Sequence, residues 1–529
     1  MPDHKLDSEV ILNILGRMAV YDLYKPFRNA CSNYSLRESI YAIWAYTQWL
    51  QMKEFQLPTD MDVDFRVKAA SQRQALISEW ELETLTREIF LNATTAPVST
   101  KSLRRWGDFA NLFNRLKFLE ERISEEYGDH ENILVEVARI SHRQFPWQSH
   151  PPSRVVMARY LKIYNSEEIN RIARERIGIS IQDIFICGLA ALGMVLEKFI
   201  IREPIASNIK GISEDTVARF VSLCSCGLDQ IRSALKDAQA YDERYSYSYN
   251  PLRAKPLIRI EFDGRTELLC AQPTLLFWRF GPGLYYDLND HPDFGNALGS
   301  SLQAYVGEVL SRSMGENGAR IAAETKYSIG KRQLDSVDWI VWDDRAALFV
   351  EVKLKRLTMD AKAALLDIAP MINQLKYVAK AVAQTYRNIA DCRAGHYPHF
   401  QATTEKAIFP LVVTLENWHV FGDYTYSELD RLVIEECRAH GVPDDMRINS
   451  PYILCSVDEL EVAVQVIRSI GVEKFVERKF AGGEMTSWGL LPYLKRAFPE
   501  LVQAAKPLFS RDFDDFVDST IGRRFGRPT

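Results

Sequence analysis

Between residues 335 and 356 the sequence reads DSVDWIVWDDRAALFVEVKLKR, and its alternation leaves the backbone few choices. A strand starting at Asp338 places Asp338, Ile340 and Trp342 on one face and Trp339 and Val341 on the other. Asp343, Asp344 and Arg345 form a polar turn. A second strand, 347–354, then puts Phe349, Glu351 and Lys353 on one face and Leu348, Val350, Val352 and Leu354 on the opposite one. Glu351 and Lys353 become neighbours, roughly 7 Å apart along the strand. A carboxylate and an ammonium in a hairpin built of Val, Leu, Phe and Trp are costly to bury unless they are paired, hydrated or bound to an ion.

Pairing the two strands brings Asp338 beside Glu351. Two such carboxylates form a hard oxygen site that suits Mg²⁺ with waters and a substrate phosphate. A bound ion of this kind lowers the pKa of a coordinated water, and Lys353 can orient that water or neutralise developing charge. Phosphodiester hydrolysis is the reaction that fits.

Asp338 followed by Glu351-Val-Lys353 resembles the PD-(D/E)xK nuclease superfamily, the restriction-endonuclease-like fold. The family's leading proline is replaced by Val337. Glu-x-Lys also occurs at Glu324-Thr-Lys326 and Glu477-Arg-Lys479, so the tripeptide takes its meaning from the Asp-led strand before it. The order of elements follows the family core. A helix over 297–312 precedes a strand over 322–329 and a Gly330 turn. The two strands above come next, then a helix over 370–388 and an apolar strand over 407–415. By this resemblance Asp338 and Glu351 bind Mg²⁺ or Mn²⁺, with Glu308 on the first helix as a further ligand. Lys353 positions the attacking water, and Gln374 on the later helix arranges the site or touches the DNA backbone.

Residues 320–380 hold eleven Lys and Arg against eight Asp and Glu, in a chain of net charge −5. Lys331, Arg332, Lys355 and Arg356 are the candidates for contact with a phosphate backbone, whose neutralisation supplies most sequence-independent affinity.

The chain has 529 residues and a pI near 6.1, which suits a soluble globular protein of two to four domains and excludes a strongly basic nucleic-acid coat. No apolar run reaches membrane-spanning length and Met1-Pro2-Asp3-His4 is polar, so the expectation is a cytoplasmic chain with no membrane partner. Its eight cysteines sit mostly in apolar contexts, where buried thiols are the default. Cys224-Ser-Cys226 lacks the second pair that structural zinc requires. His130, His142 and His150 do not share a metal-binding spacing, and no Walker-type glycine loop is present.

Residues 8–245 read as helix almost throughout, with a capping box at Ser35–Glu38 and a cap at Ser213–Thr216. The helix after Ser213 is expected to run through Leu235, and a helix over 133–145 to stop at Pro146. Composition changes sharply over 241–255, the expected boundary. Strands over 256–262 and 268–280 flank an Asp263-Gly264 hairpin turn. A helix over 424–440, a strand over 451–455 and a Ser456–Glu459 capping box before a helix over 460–470 follow. The expected fold is α + α/β: an all-helical N-terminal domain (1–245), a small β region (246–293), a mixed-sheet restriction-endonuclease-like core flanked by helices (294–420) and an α/β extension (421–529).

These readings converge on a metal-dependent nuclease acting on nucleic acid, with DNA the expected substrate. A bacterial anti-phage defence effector, assembled as a homo-oligomer or with a partner defence protein, is the setting the architecture resembles. The alternatives are a non-catalytic DNA- or protein-binding module with the same fold and a resolvase- or transposase-like strand cleaver.

Overall fold

The computed structural model describes residues 8–69, 71–98, 100–127, 133–149, 153–205, 209, 211–314, 320–354, 356, 369–402, 405–418 and 422–519. Lys355, His130, His150 and the basic C-terminal end fall outside these residues.

The N-terminal half is helical, interrupted among the described residues by two short strands, β1 (Ile200–Arg202) and β2 (Ser225–Gly227). The helix Trp106–Tyr127 forms where its amphipathic pattern predicts it. Three local expectations are corrected. Ser35 does not cap the next helix by its side chain: Leu36 N–H donates to Thr94 O (2.7 Å), and Glu38 pairs with Arg104 instead (2.7 Å). Pro146 lies inside the helix Ile133–Ser149 and does not end it. The next residue, Trp147, is buried, donates to Glu83 Oε2 (2.9 Å) and packs on Trp278, which holds the last turn in place. Ser213 does cap its helix, through Thr216 N–H, but that helix ends at Cys224. Ser225–Gly227 pairs in parallel with the next strand before a second helix resumes at Leu228.

Strands β3 (Leu257–Phe262) and β4 (Arg265–Leu269) complete a four-stranded sheet in the order β1-β4-β3-β2. Asp263 and Gly264, both at positive φ (49° and 69°), make the two-residue turn. The chain then departs from the strand expected over 268–280. Pro273–Phe280 is a helix with Pro at its first turn and all eight residues buried. A short helix buried on every side carries no periodic signal, and its aromatic residues imitate a strand.

The second sheet has the order β11-β10-β9-β8-β5. It contains β5 (Arg320–Ala323), β8 (Trp339–Trp342), β9 (Ala346–Lys353), β10 (Ala407–Thr414) and β11 (Ile453–Ser456). β8 runs antiparallel to both of its neighbours, β5 and β9, while β9, β10 and β11 are parallel, so the sheet is mixed. The single strand expected over 322–329 is broken at Glu324. β6 (Lys326–Ile329) and β7 (Arg332–Asp335) form a separate two-stranded hairpin that turns at Gly330 (φ 60°). Thr325 and Ser336 pinch its base: Thr325 N–H donates to Ser336 Oγ (2.9 Å) and Ser336 N–H to Thr325 O (3.1 Å).

The sheet separates two apolar cores along the alternation of its strands. Val341, Leu348 and Val350 belong to a core continuous with Trp49 and Tyr164 of the helical half, Leu302 of the helix Phe294–Met314 and Leu460 of the helix Val457–Ile470. Ile340, Ala347 and Phe349 face a second core under the helices Ala369–Arg393 and Asp423–Ala439. The first core runs across residue 245 without a break. Ser456 and Glu459 form their capping box. Among the described residues no single helix is long and apolar enough to cross a membrane.

Candidate active site

Strand register builds the site. Ala323 pairs with Trp339 and Trp339 with Val350. One step further along these antiparallel ladders, Glu324 stands opposite Asp338 and Asp338 opposite Glu351. Three acidic residues therefore form a row across three strands, just where the regular ladder ends. The backbone marks the row: Glu324 N–H donates to Asp338 O (2.9 Å), and Val352 N–H donates to Asp338 Oδ2 (2.6 Å). The second bond replaces a main-chain partner with a side chain and fixes the Asp338 carboxyl.

Glu351 is 4% exposed. Its Oε1 accepts from Lys353 Nζ at 2.6 Å, and the ammonium also reaches Gln384 Oε1 on the helix Ala369–Arg393 at 3.4 Å. Burial, followed by the negative charge of Glu351, pushes the Asp338 carboxyl up to about 7 against the opposing pull of Val352 N–H and Lys353. Burial also holds Glu351 above the ordinary carboxylate range, with Lys353 countering it. Lys353 loses to burial and gains more from Glu351, so it stays protonated above the usual lysine range. The two carboxylates thus work against each other inside a partly dry site.

Neighbouring contacts hold the row in place. The Trp339 indole N–H donates to Gln303 O (3.0 Å), and the ring lies against Gly307, where a Cβ would come within 2.1 Å of it. Val337 N–H donates to the Tyr397 hydroxyl (3.3 Å). A proline has no such donor. Tyr397 in turn donates to Asn388 Oδ1 (2.9 Å), which also receives the Tyr327 hydroxyl (3.2 Å).

The residues expected from sequence divide accordingly. Asp338, Glu351 and Lys353 come together. Glu308 instead pairs with Lys162 (3.1 Å) and Arg312 (2.6 Å), both of which also bind Asp512. It ties the helix Phe294–Met314 to its helical neighbours, and the acid whose charge acts on both Asp338 and Glu351 is Glu324. Gln374 shares the helix of Gln384, but its buried Oε1 has no hydrogen-bond partner, and Gln384 is the amide that reaches Lys353. Arg356 is not a surface cation: it is 8% exposed, paired with Glu416, bonded to Pro282 O (3.2 Å) and stacked on Tyr285 and Tyr286. Lys331 and Arg332 are exposed at the tip of the β6–β7 hairpin, away from Glu324 at its base. Lys355 lies outside the described residues.

Glu324 and Gln384 escaped the sequence reading. Glu324 sits in one of the repeated Glu-x-Lys triplets; only the register of β5 on β8 distinguishes it. Nothing in helical periodicity favours Gln384 over Gln374.

The donor set fits a hard divalent cation. Asp338 and Glu351 face each other with raised pKa values, a conflict such a cation relieves, and each keeps one oxygen outside the bonds described above. Among the described residues no group of three or more His, Cys, Asp or Glu is placed to hold one metal ion, so protein ligation would rest on two carboxylates. No family model, curated protein or solved structure matches the chain.

Proposed function

We propose that the chain is a metal-dependent nuclease that hydrolyses phosphodiester bonds, with DNA as the expected substrate. The observation that carries this reading is Asp338 opposite Glu351, with Lys353 bonded to Glu351 where β9 ends. Asp338 and Glu351 would hold Mg²⁺ or Mn²⁺, which would supply Lewis acidity toward a phosphate oxygen and a more acidic water.

The chain's own groups have separate tasks. Val352 N–H orients the Asp338 carboxyl. Glu351 and Gln384 hold Lys353, whose raised pKa suits it to donate a hydrogen bond and positive charge to a phosphate, not to accept a proton. The charge conflict between Asp338 and Glu351 favours cation binding over an empty ionised pair. A cytoplasmic role in anti-phage defence rests on the resemblance alone.

The test is cleavage of supercoiled plasmid, linear duplex, single strands and RNA with Mg²⁺ or Mn²⁺, comparing wild type with Asp338→Asn and Lys353→Ala. The reading expects metal-dependent cutting that both variants lose by about a hundredfold or more. Salt-dependent binding of nucleic acid without cutting, equal in all three proteins, would instead favour a non-catalytic module.

A further inference from the structure

The helix Ala369–Arg393 carries a solvent-facing stripe that the acidic row does not use. Lys376, Lys380, Gln384 and Arg387 follow one another at steps of three or four residues, so they share one face. Lys376, Lys380 and Arg387 are exposed, and the half-buried Gln384 between them is the amide that reaches Lys353 (3.4 Å). Cations therefore stand before and after the residue that holds Lys353. From Lys376 to Arg387 the stripe covers about 16 Å of helix axis.

Past Arg387 the stripe meets the β6–β7 hairpin. The Tyr327 hydroxyl of β6 donates to Asp391 Oδ2 (2.7 Å) and Asn388 Oδ1 (3.2 Å), which fastens the hairpin to the last turns of the helix. β7 is exposed along its whole length and belongs to no larger sheet. The hairpin is thus a free two-stranded ribbon with Lys331 and Arg332 at its tip.

Charge on these two elements is one-sided. Residues 326–335 and 376–391 hold six Lys and Arg against two Asp, in a chain of net charge −5. Asp335 stands opposite Lys326, and Asp391 is taken by the Tyr327 hydroxyl. The other five cations, Lys331, Arg332, Lys376, Lys380 and Arg387, make no ion pair among the described residues. A line of unanswered cations beside a phosphodiester site suits a polymer of regularly spaced phosphates. A single strand would also need rings to stack on, yet of Tyr327, Tyr377 and Tyr386 only Tyr377 is exposed. A two-stranded ribbon fits the major groove of B-form DNA and not the deep, narrow groove of A-form RNA.

We propose that these two elements are the duplex-DNA surface of the chain, with one strand's phosphates along Lys376, Lys380 and Arg387 and the hairpin tip, Lys331 and Arg332, in the adjoining major groove. At about 3.4 Å per nucleotide of one strand, the helix stripe spans roughly five phosphates. This surface deepens the nuclease reading and rests on it for the reaction, while binding can be measured without any cleavage.

The experiment follows the fluorescence anisotropy of a short labelled DNA duplex, its single strand and the matching RNA duplex on the full-length protein in EDTA, from about 50 to 200 mM salt. The DNA duplex should bind about tenfold or more tighter than the other two. Lys376→Ala/Lys380→Ala and Lys331→Ala/Arg332→Ala should each weaken it about tenfold and lower the salt slope by about two, with unchanged melting temperatures. Lys198→Ala/Lys236→Ala makes the same charge change on exposed lysines of the helical half and should leave affinity as it is. Single strand or RNA bound as tightly as the DNA duplex, folded variants that bind like wild type, or an equal loss in the Lys198/Lys236 control would each overturn the proposal. Hydrolysis of bis(p-nitrophenyl) phosphate with Mn²⁺, a diester too small to reach the stripe, separates the two readings. Selective duplex binding without that hydrolysis would sink the nuclease reading and keep the surface; hydrolysis without selective duplex binding would do the reverse.

Discussion

Gly307 lies flat against the indole of Trp339, so close that a Cβ would stand 2.1 Å from the ring. That contact seats the helix Phe294–Met314 on β8 one residue from Asp338, and the Trp339 N–H bond to Gln303 O keeps the ring from turning away. Gly307→Ala should therefore force helix and strand apart. Overpacking of this kind costs about 1–3 kcal/mol. Urea denaturation should report the loss, and cleavage should fall further than the loss of folded protein explains, because Asp338 moves with β8.

Without a bound cation the acidic pair is a liability that depends on pH. Asp338 is held near 7 and Glu351 is also raised, so between the ordinary carboxylate range and about pH 7 the folded state binds more protons than the unfolded one. The stability this contributes is complete at acid pH and is lost as pH rises through about 7. In EDTA the melting temperature should fall across that window. Mg²⁺ should restore it at pH 8, and Asp338→Asn should flatten both the pH slope and the Mg²⁺ response. A melting temperature in EDTA that does not change between pH 5 and pH 8 would argue against the raised pair.

Glu308 and Glu324 should separate by function. Glu308→Gln breaks a half-exposed ion-pair network with Lys162 and Arg312, for which about 0–1 kcal/mol of stability and unchanged cleavage are expected. Glu324→Gln should leave stability nearly untouched and raise the Mg²⁺ concentration needed for half-maximal cleavage by about tenfold, the scale of a residue acting on metal ligands. Metal titrations of the two variants decide between the assignments, and the reverse pattern would reinstate Glu308.

A proline at position 337 should harm this chain. Val337→Pro removes the N–H that binds the Tyr397 hydroxyl in a fully buried position, and a loss of about 1–3 kcal/mol is expected. Tyr397→Phe, which removes the other partner, should cost a comparable amount. Adding it to Val337→Pro should cost less than the sum, as a thermal-unfolding double-mutant cycle would show.

How far the sequence could be read follows from which forces act locally. Alternation alone placed Asp338, Glu351 and Lys353, because a strand in a two-sided sheet has only two directions for its side chains. The Asp263-Gly264 turn and the Ser456–Glu459 cap were legible for the same reason: each is satisfied within a few residues. Glu324 and Gln384 were not, since what makes them neighbours is the register of one strand on another and the seat of a helix on a sheet. Arg356 was misread because its burial depends on Glu416 and two tyrosines from earlier and later in the chain. The helix Pro273–Phe280 hid for the opposite reason, being buried on every side and so lacking any period.

The core that passes unbroken from Trp49 through Leu302 and Val350 to Leu460 bears on how such a chain can be inherited. Recombination near residue 245 would join two half-cores shaped against different complements, and mismatched interiors of this kind cost several kcal/mol where whole proteins have about 5–15. The helical half is therefore not a cassette to be exchanged among unrelated chains. Descent should preserve it with its sheet, and changes in one should be answered by changes in the other.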